Sequence, residues 1–326
     1  MSEMSRGANV APPMIVRART EFTRQHNRDA RWGLAAPQLL ATASVLALAL
    51  GAAIPARAQT AWTGTTSTDW FTAGNWTAGV PTGAVVTTID TVTPNATIIG
   101  AAGAQASALN VGFFSTGNLA IQNGGTLTTG AIEIGVANGS TGTVTVSSGG
   151  TVSGSTTMVG GFSSNANSVT VDGAGSTWTN SDYFIVGGFR RGALTITNGG
   201  AVSNLAGFIA QQGTAIGTVM VDGAGSSWTN SGILTVGNSG SGTLTIRNGG
   251  VVSATDVILG LLGGSGTLNI GAASGQAAAA PGTLTTPTVS VGTGSGIIVF
   301  NHTGSNYTFA PAISGAAVTS KPAPRS

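Results

Sequence analysis

Residues 171–176 read V-D-G-A-G-S, and residues 221–226 repeat the same six letters fifty positions later. The motif W-T-N-S keeps this spacing, since it occurs at 178–181 and again at 228–231. Gly-Gly pairs add a half-period of about 25 residues, at 124–125, 149–150, 199–200 and 249–250. A fixed period of this length is typical of a solenoid, whose repeats pack only against their neighbours, and not of a globular enzyme domain.

Short segments between the glycine turns alternate apolar and polar residues, which predicts strands with one buried face. These segments lie at 143–146, 169–172, 194–197, 234–236 and 244–247. Two or three such strands per repeat favour coils stacked in parallel, an all-β β-helix with coils of about 25 residues. A sandwich would not require turns to keep their register over fifty residues. Asn198 and Asn248 are expected to form a polar ladder at the N-G-G turns.

The charge of the chain is concentrated near its N-terminus. Seven of the 12 basic residues precede Gln59, which leaves five basic against seven acidic residues in the remainder. The high isoelectric point therefore does not indicate a nucleic-acid partner. The chain contains no cysteine, which excludes disulfides and thiolate metal sites.

Residues 1–58 carry the pattern of an extended secretory signal peptide. Arginines precede an apolar segment at 39–54, and Pro55-Ala56-Arg57-Ala58 supplies a cleavage pattern. We expect cleavage between Ala58 and Gln59 and passage through the export machinery. The apolar segment is shorter than the ~20 residues of a membrane span.

Residues 59–118 are interpreted as an N-terminal capping segment, because a solenoid must cover its first coil. Trp62, Trp70 and Trp76 lie in this segment, and sugar binding is the alternative role for their rings. The predicted β-helical repeats follow at 119–320, and a tail of altered composition follows at 321–326.

The signal segment, W-F-T-A-G-N-W at 70–76, the L-T-I-x-N-G-G-x-V-S units and the V-D-G-A-G-S-x-W-T-N-S units resemble the passenger region of bacterial autotransporters. The resemblance implies a right-handed parallel β-helix with an adhesin-like role at the cell surface of a Gram-negative bacterium. It also implies a C-terminal outer-membrane β-barrel. Nothing after residue 270 matches such a barrel, so we expect a truncated or frameshifted product, with the periplasm or secretion as the other end points.

Candidate catalytic residues are few. His302 is the single histidine after the signal segment, and no acidic residue follows Asp256 to orient it in a Ser-His-Asp triad. Asp172 and Asp222 occupy equivalent repeat positions, so stacking would place them ~10 Å apart, within the range of a glycosidase pair. The alternative is that each carboxylate bonds to the backbone of its own turn, with the glycines at positive φ.

Trp178 and Trp228 also occupy equivalent positions, either as an aromatic strip for glycans or as structural anchors of the repeat. We predict a non-enzymatic, exported binding rod with no cofactor, no metal and no nucleic-acid partner. A host or cell-surface glycan or protein is its expected partner. A β-helical carbohydrate-active enzyme and a truncated, non-functional fragment are the alternatives.

Overall fold

The computed structural model describes residues 14–18, 58–315 and 318–320. Apart from the strand at 14–18, the predicted signal segment before Ala58 lies outside the described residues, as does the tail at 321–326. The described residues form β-strands, numbered β1–β30 in chain order, and one short 3-10 helix at Ala73–Asn75.

The strands build three sheets, and between Thr97 and Val291 each coil of the chain contributes one strand to sheet 1, then sheet 2, then sheet 3. In spatial order, sheet 1 contains β4 (Thr97–Ile99), β7 (Thr116–Ile121), β10 (Thr141–Ser147), β13 (Asn167–Asp172), β16 (Arg191–Thr197), β19 (Ile216–Asp222), β22 (Ser241–Arg247), β25 (Ser265–Gly271), β28 (Ser295–Asn301), β1 (Met14–Ala18) and β30 (Val318–Ser320).

Sheet 2 has the shortest strands, in the order β5 (Ala104–Gln105), β8 (Thr126–Thr128), β11 (Thr151–Gly154), β14 (Thr177–Asn180), β17 (Ala201–Asn204), β20 (Ser227–Asn230), β23 (Val251–Ser253) and β26 (Thr283–Thr285). Sheet 3 contains β2 (Gln59–Ala61), β3 (Val86–Ile89), β6 (Ala108–Val111), β9 (Ala131–Ile134), β12 (Thr157–Val159), β15 (Tyr183–Val186), β18 (Ala206–Ile209), β21 (Leu234–Val236), β24 (Val257–Leu259), β27 (Thr288–Val291) and β29 (Ala312–Ser314).

Strands of successive coils pair in parallel, with equivalent repeat positions opposite one another. In sheet 1, Val144 pairs with Val169, which pairs with Leu194 one coil further on. β1 is the exception, since it pairs antiparallel with β28 and β30. The prediction of a parallel β-solenoid of about 10 coils, each of about 25 residues, is confirmed.

The core is a set of stacked columns of aliphatic side chains. Val171, Ile196, Val221 and Ile246 form one such column in sheet 1, and all four are fully buried. Their polar neighbours along each strand face outward, as the period of two predicts. Burial of apolar surface, at ~25 cal/mol per Å², is the main stabilisation of such a stack.

The turn between sheets 1 and 2 explains why the exact repeat is fifty residues rather than 25. In the N-G-G turns, Asn198 and Asn248 adopt left-handed conformations with φ of 53°. The V-D-G-A-G-S turns are one residue longer and place Gly173 and Gly175 at positive φ. The extra residue does not change the strand pairing in sheet 2, because Trp178 pairs with Val202 and Val202 pairs with Trp228.

The three tryptophans of the predicted capping segment are part of the hydrophobic core. Trp62, Trp70 and Trp76 are all buried, and the ring of Trp76 lies 4.9 Å from that of Trp62 and 4.7 Å from that of Trp70. The Trp76 indole N–H donates to the Trp70 carbonyl at 2.7 Å. Regular stacking starts within this segment, since β3 and β6 already pair in register.

Candidate functional site

Asp222 lies at the end of β19, on the corner between sheets 1 and 2. Its Oδ2 accepts from Arg247 Nε at 3.0 Å and Nη2 at 2.7 Å, while its Oδ1 accepts from Asn248 Nδ2 at 2.7 Å. Partial burial raises the pKa of Asp222, but the hydrogen bonds from Arg247 and Asn248 and the charge of Arg247 outweigh it, so the pKa is lowered. These contacts favour the ionised carboxylate, and both of its oxygens accept hydrogen bonds.

Asp172 occupies the same position two coils earlier. Its Oδ1 accepts from Thr197 Oγ1 and from Asn198 Nδ2, both at 2.7 Å. The glycines of the turn have positive φ as expected, but both carboxylates accept hydrogen bonds from side chains of the next coil, not from the backbone of their own turn. The two carboxylates therefore tie each V-D-G-A-G-S coil to the following N-G-G turn.

Trp178 and Trp228 lie inside the solenoid, with exposures of 1% and 0%. Trp228 Nε1 donates to Asn204 Oδ1 at 2.7 Å, and Asn204 Nδ2 donates in turn to Asn230 Oδ1 at 2.7 Å. Trp178 Nε1 lies 3.1 Å from both Thr157 Oγ1 and Asn180 Oδ1. Because the rings are enclosed, they present no face to a ligand at the surface.

His302 lies at the C-terminal end, where its ring is 4.7 Å from that of Tyr307. Its Nδ1 is buried and has no hydrogen-bond partner among the described residues. The other carboxylates are dispersed: Asp90 accepts from the backbone N–H groups of Phe113 and Phe114, and Asp256 accepts from the Thr288 hydroxyl. The structure does not bring an acid and a histidine together into a hydrogen-bonded pair in the residues it describes.

Glu133 faces outward from sheet 3, opposite Asn110 and Met158 in the adjacent coils. Burial raises the pKa of this carboxyl above its ordinary value. Within the described ranges, no group of three or more His, Cys, Asp or Glu side chains could hold a metal ion. In the same ranges, no helix has the length and apolarity needed to cross a membrane.

Exposed aromatic rings lie along the corner between sheets 3 and 1, a feature that the sequence patterns did not single out. Phe114 and Phe162 are 74% and 47% exposed, and the ring of Phe162 stacks on that of Phe189 at 4.5 Å. Arg190 and Arg191 follow directly and are exposed. We call Phe114, Phe162 and Phe189 the aromatic ridge. The sequence could have revealed the ridge, because each of these three phenylalanines lies three residues after the end of a strand of sheet 3.

The outer face of sheet 2 is a second surface that sequence patterns did not single out. In each strand from β8 to β26 the second residue points inward, so the first and third face solvent. The first column reads Thr126, Thr151, Thr177, Ala201, Ser227, Val251, Thr283, and the second reads Thr128, Ser153, Thr179, Ser203, Thr229, Ser253, Thr285. We call these two columns the hydroxyl face.

One family model, described as a domain of unknown function (DUF8693), matches residues 61–188. That range contains Trp62, Trp70 and Trp76 and two residues of the aromatic ridge, Phe114 and Phe162. It ends just before the third ridge residue, Phe189. No curated protein and no solved structure matches the chain.

Proposed function

We propose that this protein is an exported, non-enzymatic binding rod of the adhesin type, whose partner is a glycan or protein at a cell surface. The observation that carries the proposal is the aromatic ridge on a rigid stack of coils. Exposed apolar rings are costly in water, and patches of this kind are typical of interaction sites.

The aromatic residues of the ridge do not recur in every coil, which distinguishes them from the residues that the stack of coils requires. Positions that serve the stack recur in coil after coil, because every coil must meet the same neighbour contacts. At the ridge position Ala137, Gln212 and Ser239 replace the aromatic residue in other coils. Stacking rings bind sugars and apolar side chains alike. Several weak contacts on one rod gain affinity by acting together.

The class-different alternative is a β-helical carbohydrate-active enzyme that uses Asp172 and Asp222. Both carboxylates are occupied by hydrogen bonds to the next coil, and Asp222 is paired with Arg247. A glycosidase needs one carboxyl held protonated as the acid, whereas the pKa of Asp222 is lowered. These contacts favour a structural role for both residues.

The test combines binding and turnover on the same samples. Fluorescently labelled protein is incubated with insoluble cellulose, chitin, mucin-coated beads and intact bacterial cells, and retention and release of reducing ends are measured. We expect retention on at least one probe, lost in Phe162→Ala/Phe189→Ala and kept in Leu262→Ala, an exposed apolar control on the same corner. Asp172→Asn/Asp222→Asn should retain binding.

Two outcomes contradict the proposal. Release of reducing ends that disappears in Asp172→Asn/Asp222→Asn would establish the enzyme. No retention on any probe would favour a non-functional fragment.

Export is a separate part of the proposal and rests on the pattern around Ala58. Expression of the full chain in a Gram-negative host, followed by fractionation and N-terminal sequencing, should give a mature protein that begins at Gln59 outside the cytoplasm. An intact N-terminus in the cytoplasmic fraction would contradict export.

A further inference from the structure

The hydroxyl face of sheet 2 is a regular grid of side chains that the binding role of the aromatic ridge does not use. The two columns run through seven consecutive coils with the register unbroken. Twelve of the fourteen positions carry a hydroxyl, eight of them as threonine, and none carries a charge. Ala201 and Val251 are the two positions without a hydroxyl.

The spacing of the grid follows from strand geometry. Adjacent coils lie about 4.8 Å apart, and alternate residues along one strand lie about 6.6 Å apart. The columns are therefore two rows of side chains on a nearly rectangular lattice, and eight of the fourteen positions present both the hydroxyl and the methyl group of threonine. Threonine is stiff at χ1, so the groups at these eight positions are restricted in orientation before any ligand arrives.

The hydroxyls are largely uncommitted. In the described structure, Ser203 Oγ donates to Thr179 Oγ1 at 3.2 Å, and Thr126 Oγ1 accepts from the Gly103 N–H at 2.8 Å. The second column is mostly exposed to solvent, at Thr128, Ser153, Thr179, Thr229 and Thr285. An array of free hydroxyls without charge suits a neutral, periodic partner that donates and accepts hydrogen bonds.

The interior keeps this face rigid. Trp178 and Trp228 lie directly beneath it, at the inward positions of β14 and β20, and both are hydrogen-bonded through their indole N–H groups. A rigid face matters when the ligand cannot adapt, because ordering a mobile surface on binding would cost free energy.

We propose that the hydroxyl face binds ice, whose surface is likewise an uncharged, periodic array of hydrogen-bond donors and acceptors. Each threonine offers a hydroxyl that joins the water lattice and a methyl group that excludes mobile water beside it. A charged side chain would hold its own hydration shell and disrupt the match. Crystalline polysaccharide fits less well, because aromatic platforms are absent from the fourteen described positions.

The test uses the full-length protein in a slowly growing ice hemisphere, with the fraction taken into ice and the thermal hysteresis as readouts. We expect enrichment in the ice relative to a co-dissolved inert protein, and a freezing point below the melting point. Thr179→Tyr/Thr229→Tyr places two bulky rings on the face, two coils apart, and should lower the hysteresis about ten-fold because the contacts act jointly.

The matched control is Thr145→Tyr/Thr195→Tyr, which places the same two rings two coils apart on the outer face of sheet 1. It should retain the activity, and circular dichroism should show all variants folded. The inference is overturned by exclusion of the unsubstituted protein from ice, by equal loss in the control, or by retention on cellulose through this face without ice activity. None of these outcomes depends on Phe162 or Phe189, so the adhesin proposal is tested separately.

Discussion

Replacing Trp228 with phenylalanine tests whether the repeated tryptophans belong to the core. The substitution keeps an aromatic ring but removes the indole N–H that donates to Asn204 Oδ1 at 2.7 Å. An acceptor left unpaired in the interior costs about 1–3 kcal/mol. The missing ring atoms add roughly 1 kcal/mol of lost burial and cavity. We therefore expect the free energy of unfolding to fall by about 2–4 kcal/mol.

Trp178→Phe should cost less than Trp228→Phe. The acceptor Asn180 Oδ1 also receives a hydrogen bond from Thr157 Oγ1 at 3.2 Å, and that donor remains. Thr229→Ala, on the outward side of the same strand as Trp228, is the control and should change stability by less than about 0.5 kcal/mol.

The assay for these variants is urea unfolding followed by far-UV circular dichroism, with glycan retention measured in parallel. A change below about 0.5 kcal/mol for Trp228→Phe, which is the range of surface substitutions, would refute the reasoning. The refutation would be complete if glycan retention were lost at the same time, because the ring would then lie at the surface.

Three further predictions concern single positions and are read from unfolding midpoints. Gly160→Ala should destabilise the protein by more than about 2 kcal/mol, since φ is +79° and the new Cβ would lie 2.2 Å from a backbone oxygen of the next coil. Gly124→Ala, at φ +74° with open space around the new Cβ, should cost only the ~1–2 kcal/mol of a left-handed alanine. Equal costs would contradict the packing. Because the pKa of Asp222 is lowered in the fold, the stability that this carboxylate adds is present above the ordinary pKa of 3.8 and is lost as the pH falls through the lowered pKa. Arg247→Gln should reduce this loss of stability in acid by about 0.2–1 kcal/mol. An unchanged dependence of stability on pH would argue against the ion pair. Burial raises the pKa of Glu133, so Glu133→Gln should stabilise at pH 7 and the gain should vanish below pH 4.5; a gain that persists in acid would point to packing instead.

The period of the coils was predictable because it depends on local patterns that repeat. The strands of sheet 1 from β7 to β22 alternate over six or seven residues, so Val169 and Val171 reveal their buried face without knowledge of their neighbours. The positive φ of Asn198 likewise follows from the N-G-G turn itself. Local rules suffice for these features.

The face occupied by Trp178 was not predictable from the same rules. The V-D-G-A-G-S turn carries one more residue than the N-G-G turn, and a shift of one residue exchanges the two faces of a strand. Only the pairing of Trp178 with Val152 and Val202 fixes the ring inside. The side-chain partners of Asp172 were hidden for a related reason, since Asn198 is 26 residues away in sequence.

The hydroxyl face was missed because the strands of sheet 2 are short. In sheet 2 the alternation spans at most four residues, as in Thr126-Leu127-Thr128 and Ser227-Trp228-Thr229-Asn230, which is too little to stand out from composition. The aromatic ridge is visible only after the corners are aligned on the glycines that precede them, as Gly160 and Gly187 precede Phe162 and Phe189.

The central claim is that equivalent positions advance along one axis by one strand spacing per coil. The chain has no cysteine, so spin labels can be placed at chosen pairs without background. Labels at Thr128 and Thr229, four coils apart, should lie about 19 Å from each other, and labels at Thr128 and Thr285, six coils apart, about 29 Å. Pulsed electron resonance distances that rise by about 10 Å between these pairs support the stacked solenoid. Distances that do not increase with coil number would contradict it.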